Sequence, residues 1–474
     1  MTDPKHGAER PPLYAEPYRQ QFHFSDHNSW MNDINGTVYF RGLYHLYYQK
    51  TPDTVHGNTD HMHWGHAVSA DLLHWEEKPC ALAPDADGAM WSGTAWADEE
   101  NCSGLFPGGK GGILAAYSTE KQEIGLAYST DGDTYEKIGI VLRNPGGRVD
   151  FRDPKLFFDE TNGKWTMLIA GGKVRIYQSS DLRNWTQTGE NEIFTECPDL
   201  FRLRAPDGAE KWVLSCAGRA FFVGRYANGA FTPESDRIET NVGPDSYAGI
   251  IFENQPDGRT LMMHWMDRWE YAQETATDWC SNASLVSELS LRRTDNGAWT
   301  VCFAPADDVY DPIAAAPLIA AADRTVRPGE DLLAGVTAEL YRLRLRVALS
   351  GTTDFTLTLR KGSGDATVLR YRTAEGTFTF DRGESVAALP AFTERFPRYT
   401  FTADRAGSDF LTLDIYVDAA GFECYVDRTT YFAALIRPQA AARAMSLTTE
   451  GALSVAALTV EPLASAVRPE GKRA

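Results

Sequence analysis

The sequence predicts an all-β protein in two parts, a five-bladed β-propeller followed by a C-terminal β-sandwich. Three observations carry this expectation. A strand–turn–strand unit recurs five times in the first 270 residues. All twelve tryptophans lie between Trp30 and Trp299 and all ten histidines at or before His264. The last third has neither residue type and instead strings together short alternating strands without a helical period.

The five units span residues 36–49, 93–118, 154–171, 198–218 and 248–266. Each pairs β-branched or aromatic runs across a Gly- or Asn-containing turn, which is the signature of a hairpin. Three of the second strands are followed by an echo, at 69–75, 129–135 and 179–185, in which a Ser-x-Asp turn leads to an aromatic residue. Repeats of this length built only of short strands suit propeller blades, whose radial arrangement protects sheet edges. Beyond Val326, alternation at 341–349, 354–360, 377–381 and 411–418 predicts a sandwich. The Pro- and Ala-rich stretch between them reads as a linker. The expected boundaries are 12–305 for the propeller, 306–328 for the linker and 329–465 for the sandwich.

With 46 basic against 65 acidic side chains and a formal net charge of −19, the chain lacks the clustered cations that a nucleic acid or anionic membrane requires. No apolar run approaches the length of a membrane span. The first 21 residues carry Lys5, Glu9, Arg10, Glu16 and Arg19 without an apolar stretch, so a cytoplasmic protein is expected. Seven cysteines without a C-x-x-C pair fit reduced thiols.

If the first strand of each unit is innermost in its blade, the residues at its leading edge converge on one mouth of the central channel. They are Asn32 and Asp33, Ser92, Arg152 and Asp153, Glu196, and Asp245 and Ser246. Carboxylates near Trp30, Trp64, Trp91 and Trp265 suit a small neutral saccharide, whose C–H faces stack on indole while its hydroxyls bond to carboxylates. Paired carboxyls also permit glycoside hydrolysis. A metal is not expected. His61 and His63 share one strand face while His66 points to the other, and no Asp-rich calcium loop appears. No cofactor motif is present.

Seven motifs in order resemble glycoside hydrolase family 32, the β-fructofuranosidases. W-M-N-D-I-N-G at 30–36 is similar to its W-M-N-D-P-N-G, and the 62–75 segment to its H-W-G-H-A-x-S-x-D-L-x-x-W. W-S-G-T-A at 91–95, F-R-D-P-K at 151–155, E-C-P-D-L-F at 196–201, D-S-Y-A at 245–248 and the segment 261–272 follow. The tail at 413–427 resembles a strand pair of the family's C-terminal sandwich.

The resemblance implies an exo-acting, retaining enzyme that releases terminal β-D-fructose from sucrose and fructo-oligosaccharides. It implies Asp33 as nucleophile, Glu196 as general acid/base and Asp153 as transition-state stabiliser. Asn32, Gln49, Trp91, Ser92, Arg152 and Trp265 are implied in sugar binding. Burial beside Cys197 and two carboxylates is expected to raise the Glu196 pKa, and Arg152 is expected to keep Asp153 ionised. Ile34 stands where the family has Pro, and His264 where it has Gly. Two alternatives stand beside hydrolysis: fructosyl transfer on the same fold, and a catalytically silent sugar-binding propeller. The sandwich, lacking Trp, is expected to be structural or to mediate a homo-oligomer.

Overall fold

The computed structural model describes residues 14–147, 150–385, 389–405 and 407–467; residues 12 and 13, at the start of the expected propeller, lie outside them. Five antiparallel sheets occupy the region from Trp30 to Pro305, four of four strands and the last of five. Their innermost strands are Trp30–Phe40, Met90–Asp98, Arg152–Asp159, Pro198–Arg204 and Tyr247–Ile251. Each touches the next and the fifth returns to the first, closing the ring of a propeller. All five units read from the sequence are hairpins of this ring.

The three Ser-x-Asp echoes form one repeated turn. In each, the Ser hydroxyl donates to the Asp carboxylate at 3.0 Å, as in Ser69–Asp71, Ser129–Asp131 and Ser179–Asp181. The same carboxylate oxygen then accepts backbone N–H groups two and three residues on, which tightens the chain between strands.

One irregularity positions everything that follows. Four of the five innermost strands carry one residue more than their partner at the same end of the ring. Asn32 and Asp33 face Gln49 alone, because Met31 pairs with Lys50 and Ile34 with Tyr48. Ser92 is the extra residue between Trp91, paired with Ser118, and Gly93, paired with Tyr117. Asp153 and Pro154 face Ile169, and Ala248 and Gly249 face His264. Such bulges bend a strand and re-aim its side chains. Gly93 is required at its bulge, since a Cβ there would fall 1.9 Å from the Ala116 carbonyl oxygen. Ile34, which stands where the family has Pro, is paired with Tyr48 and fully buried in the core. His264 is accommodated because its ring fills the space that side chains at Gly218 and Gly249 would occupy.

The second part is a sandwich of a six-stranded and a five-stranded sheet, closed over an apolar core that includes Leu343, Phe355, Phe380, Leu413 and Phe432. The expected linker 306–328 is not a simple connection. It holds a short helix, Asp307–Tyr310, and a strand, Ile319–Val326, that pairs with Leu453–Pro462 at the sandwich edge. The two parts share a core, since Tyr416, Tyr425, Tyr431 and Leu435 pack with the fifth blade. The segment 240–245 also runs beside the Thr430–Leu435 strand, with Tyr431 N–H donating to Thr240 O and Val242 N–H to Tyr431 O.

His23 clamps the N-terminal segment to the sandwich, its two ring nitrogens lying 2.8 Å from Asp418 and Glu423. Burial alone would lower its pKa, but the two carboxylates overcome this and hold it up at about 9. A His raised in the folded state stabilises fully below its unfolded pKa near 6.5 and loses that contribution as pH rises through the folded value. His23→Gln is therefore expected to lower Tm most below pH 6.5, with the deficit shrinking towards pH 9. Thermal scans of both proteins across that range check it, and a deficit independent of pH would contradict the assignment.

Candidate active site

The bulged ends of the first three innermost strands and the unbulged entrance to the fourth face one another and enclose a cleft with about 610 Å³ of empty space. It is lined by Asn32, Asp33, Gln49, Thr59, Met62, Trp91, Ser92, Arg152, Asp153, Glu196 and Trp269. Asp33 and Asp153, both in bulges, are joined there by Glu196, which precedes the fourth innermost strand. Two of the local conformations are costly for L-residues: Asp153 has φ 55° and Cys197 φ 40°. Such backbone persists only where surrounding packing imposes it.

Asp33 Oδ2 accepts a hydrogen bond from Ser92 Oγ at 2.7 Å and lies 3.6 Å from the Cys197 thiol sulfur. Its Oδ1 is buried without a hydrogen-bond partner among the described residues. Burial raises the Asp33 pKa, opposed by hydrogen bonds from Ser92 and Asn32. Asp153 Oδ2 accepts the Cys197 N–H at 3.0 Å and lies 3.8 Å from its sulfur. Cys197 thus sits between the two carboxylates and spaces them.

The electrostatics differ from the sequence expectation at two points. Arg152 does not serve Asp153 alone. Its guanidinium lies 3.5 Å from Asp153 and 3.2 Å from Asp150, and it donates a short hydrogen bond to Glu196 Oε1. Asp153 is pushed up to about 7, because its burial and the nearby Asp33 charge outweigh Arg152. Glu196 is also less enclosed than expected beside Cys197. Its side chain is one-third exposed, and Tyr247 Oη donates to its Oε2 at 2.7 Å.

Of the nine site residues read from the sequence, eight line this cleft; Trp265 does not. Trp265 is fully buried on the strand Thr260–Met266, with its ring 5.2 Å from Trp269. It lines a neighbouring cavity of about 820 Å³ that continues from Glu196 and Trp269 towards Tyr399 of the sandwich. The indole that borders both cavities is Trp269, half-exposed and packed 5.6 Å from Trp30. Trp30 and Trp64 are core residues, so among the four tryptophans expected at the edge only Trp91 lines the cleft. Asp245, expected with the carboxylates of the mouth, is fully buried and turned towards the sandwich. His66 is buried against His45 and Tyr47, whereas His61 and His63 lie outside the core. Trp269 and Tyr247 are not among the residues expected from the sequence, although they lie in the segments 261–272 and 245–248 that carry the family resemblance.

Comparisons with known proteins agree with this architecture. Residues 23–300 match the family model described as the glycosyl hydrolases family 32 N-terminal domain, and residues 319–462 match that of the family 32 C terminal. A levanase of Bacillus sp. (strain L7) is 34% identical over 95% of this chain and 52% of its own length. A fructan β-fructosidase of Streptococcus mutans is 34% identical over 94% of this chain and 33% of its own. The chain therefore spans about half and a third of these two relatives. The crystal structure of exo-inulinase from Aspergillus awamori superposes with a TM-score of 0.86 at 26% identity, covering 96% of this chain and 99% of the other.

Because the Ser92 hydroxyl opposes the upward shift at Asp33, Ser92→Ala is expected to make that carboxyl titrate at higher pH. A carboxyl ¹³C titration of Asp-labelled protein reads this directly. An unchanged Asp33 titration would mean that the hydrogen bond carries no weight in solution.

Proposed function

The chain belongs to glycosyl hydrolase family 32, and on that footing we propose that it is an exo-acting retaining β-fructofuranosidase acting on sucrose and fructo-oligosaccharides. The observation that carries the proposal is the gathering of Asp33, Asp153 and Glu196 around one saccharide-sized cleft. Names of relatives such as levanase and fructan β-fructosidase support fructose polymers and oligomers as the substrate class.

In this reading the terminal fructosyl ring occupies the cleft, with Trp91 and Trp269 at its edges. The unpartnered Oδ1 of Asp33 attacks the anomeric carbon while Glu196 donates a proton to the departing oxygen. A fructosyl ester on Asp33 results, and Glu196, now a carboxylate, draws a proton from the water that cleaves the ester. Asp153 accepts from the ring hydroxyls and faces the positive charge that develops at the anomeric centre. Its backbone tie to Cys197 holds it in place. The leaving sugar passes into the second cavity, which begins at Glu196 and Trp269. That cavity is also where an acceptor sugar would sit if transfer competed with hydrolysis.

We further propose a reducing compartment, supported by seven unpaired thiols that include the exposed Cys102. Finding the protein quantitatively in an oxidising compartment by cell fractionation would overturn this.

Asp33→Asn and Glu196→Gln are each expected to lower kcat by about 10²- to 10⁴-fold with folding intact. Incubation with sucrose, inulin-type and levan-type oligosaccharides should release free fructose from chain ends. Accumulation of longer oligosaccharides would indicate transfer, and a wild-type protein that releases no fructose would refute the reading. In the free protein the nucleophile must be ionised, and its pKa and that of Asp153 are both raised. kcat/KM is therefore expected to fall as pH drops, with its midpoint above the usual 3.8. An acid limb centred below 3.8 would contradict this.

A further inference from the structure

Asp245 is a carboxylate at the entrance to the fifth innermost strand that does not face the cleft, and what it does face is the sandwich. Arg382, on the strand Thr377–Glu384 of that domain, donates to Asp245 Oδ2 at 2.7 Å and to the Tyr271 hydroxyl at 2.8 Å. Tyr271 in turn donates a short hydrogen bond to Asp245 Oδ1, and Leu435 N–H donates to Oδ2 at 2.7 Å. The remaining Arg382 donors go to the carbonyls of Phe396 and Leu435 and to the Tyr399 hydroxyl, so the guanidinium is fully used. Both charges are buried, which ties them to this one geometry.

The two residues that Arg382 grips each lie two positions from a residue of the site. Asp245 is followed by Tyr247, whose hydroxyl holds Glu196. Tyr271 is preceded by Trp269, the indole shared by both cavities. A single buried side chain of the second domain therefore anchors the two chain segments that flank the proton donor and the sugar platform.

We propose that Arg382 is a positioning residue, acting through Asp245 and Tyr271 to hold Tyr247 against Glu196 and Trp269 over the cleft. The sandwich is then part of the reaction's scaffold rather than an appended domain. This inference rests on the fructosidase reading above. A second buried arginine supplies the comparison: Arg342 binds Asp414, Asp307 and Asp311 within and beside the sandwich, and none of these lines the cleft.

The test compares Arg382→Lys, Tyr271→Phe and Arg342→Lys with wild type, using sucrose and a nitrophenyl β-D-fructofuranoside. The nitrophenolate leaves without needing a proton, so in kcat/KM, which reports formation of the fructosyl ester and not its hydrolysis, only sucrose depends on Glu196 as proton donor. Arg382→Lys is expected to lose about 10- to 100-fold in kcat/KM on sucrose, less on the aryl substrate, with a displaced alkaline limb of the pH profile. Tyr271→Phe, which removes one hydroxyl and keeps the packing, should show the same pattern more weakly and serves if Arg382→Lys does not fold. Arg382→Lys should cost less when added to Tyr247→Phe than it costs in the wild type, because the branch through Tyr247 is then already lost. Arg342→Lys should lower Tm while leaving both substrates within about twofold.

If Arg382→Lys and Tyr271→Phe lower Tm but leave the sucrose-to-aryl ratio and pH profile unchanged, Arg382 is only interface and the proposal fails. Wild-type inactivity on both substrates would instead overturn the fructosidase reading, and the proposal with it.

Discussion

A regular strand cannot aim two neighbouring side chains at the same point, because successive residues face opposite sides of the sheet. The extra residue at the end of the first three innermost strands removes that restriction, and the site depends on it. Asn32 with Asp33, Ser92 and Asp153 all sit in these bulges. The ring then brings the bulged ends together from separate blades, so that residues far apart in sequence share one cleft. The left-handed backbone at Asp153 and Cys197 is the local cost of this arrangement.

Bringing carboxylates together creates an electrostatic problem that the surrounding residues resolve in different ways. Asp33 receives a hydroxyl and a thiol, Asp153 a backbone N–H, and Glu196 a guanidinium and a phenol. Arg152 reaches Asp150, Asp153 and Glu196 at once, so it moderates the whole cluster rather than one member. Even so, burial dominates at Asp153 and raises it to about 7. Groups with displaced proton affinity in a cleft are what acid–base chemistry requires.

The fold was legible in the sequence because a fivefold repeat of hairpins has few architectures open to it, and the loss of Trp after residue 299 marks the second domain. The strand Ile319–Val326 was not legible. Its Ala run does not alternate in polarity, and it is a strand through edge pairing with a distant segment. The carboxylates of the cleft could be found as polar residues at equivalent points of a repeat. Asp245 occupies such a point too, but a neighbouring domain captures its side chain, and no local pattern encodes that. Trp265 and Trp269 illustrate the same limit. Both lie in one motif, yet only the three-dimensional path of the loop after Thr260–Met266 decides which indole is half-exposed.

In the proposed reaction the bulge in the first innermost strand presents Asp33 as the nucleophile of a retaining displacement. Rapid acid quenching during turnover of an activated fructoside, followed by peptide mass mapping, tests it most directly. One fructosyl group in ester linkage is expected on the peptide containing Asp33. An adduct on Asp153 or Glu196, or steady turnover that inverts the anomeric configuration of the released fructose, would contradict it.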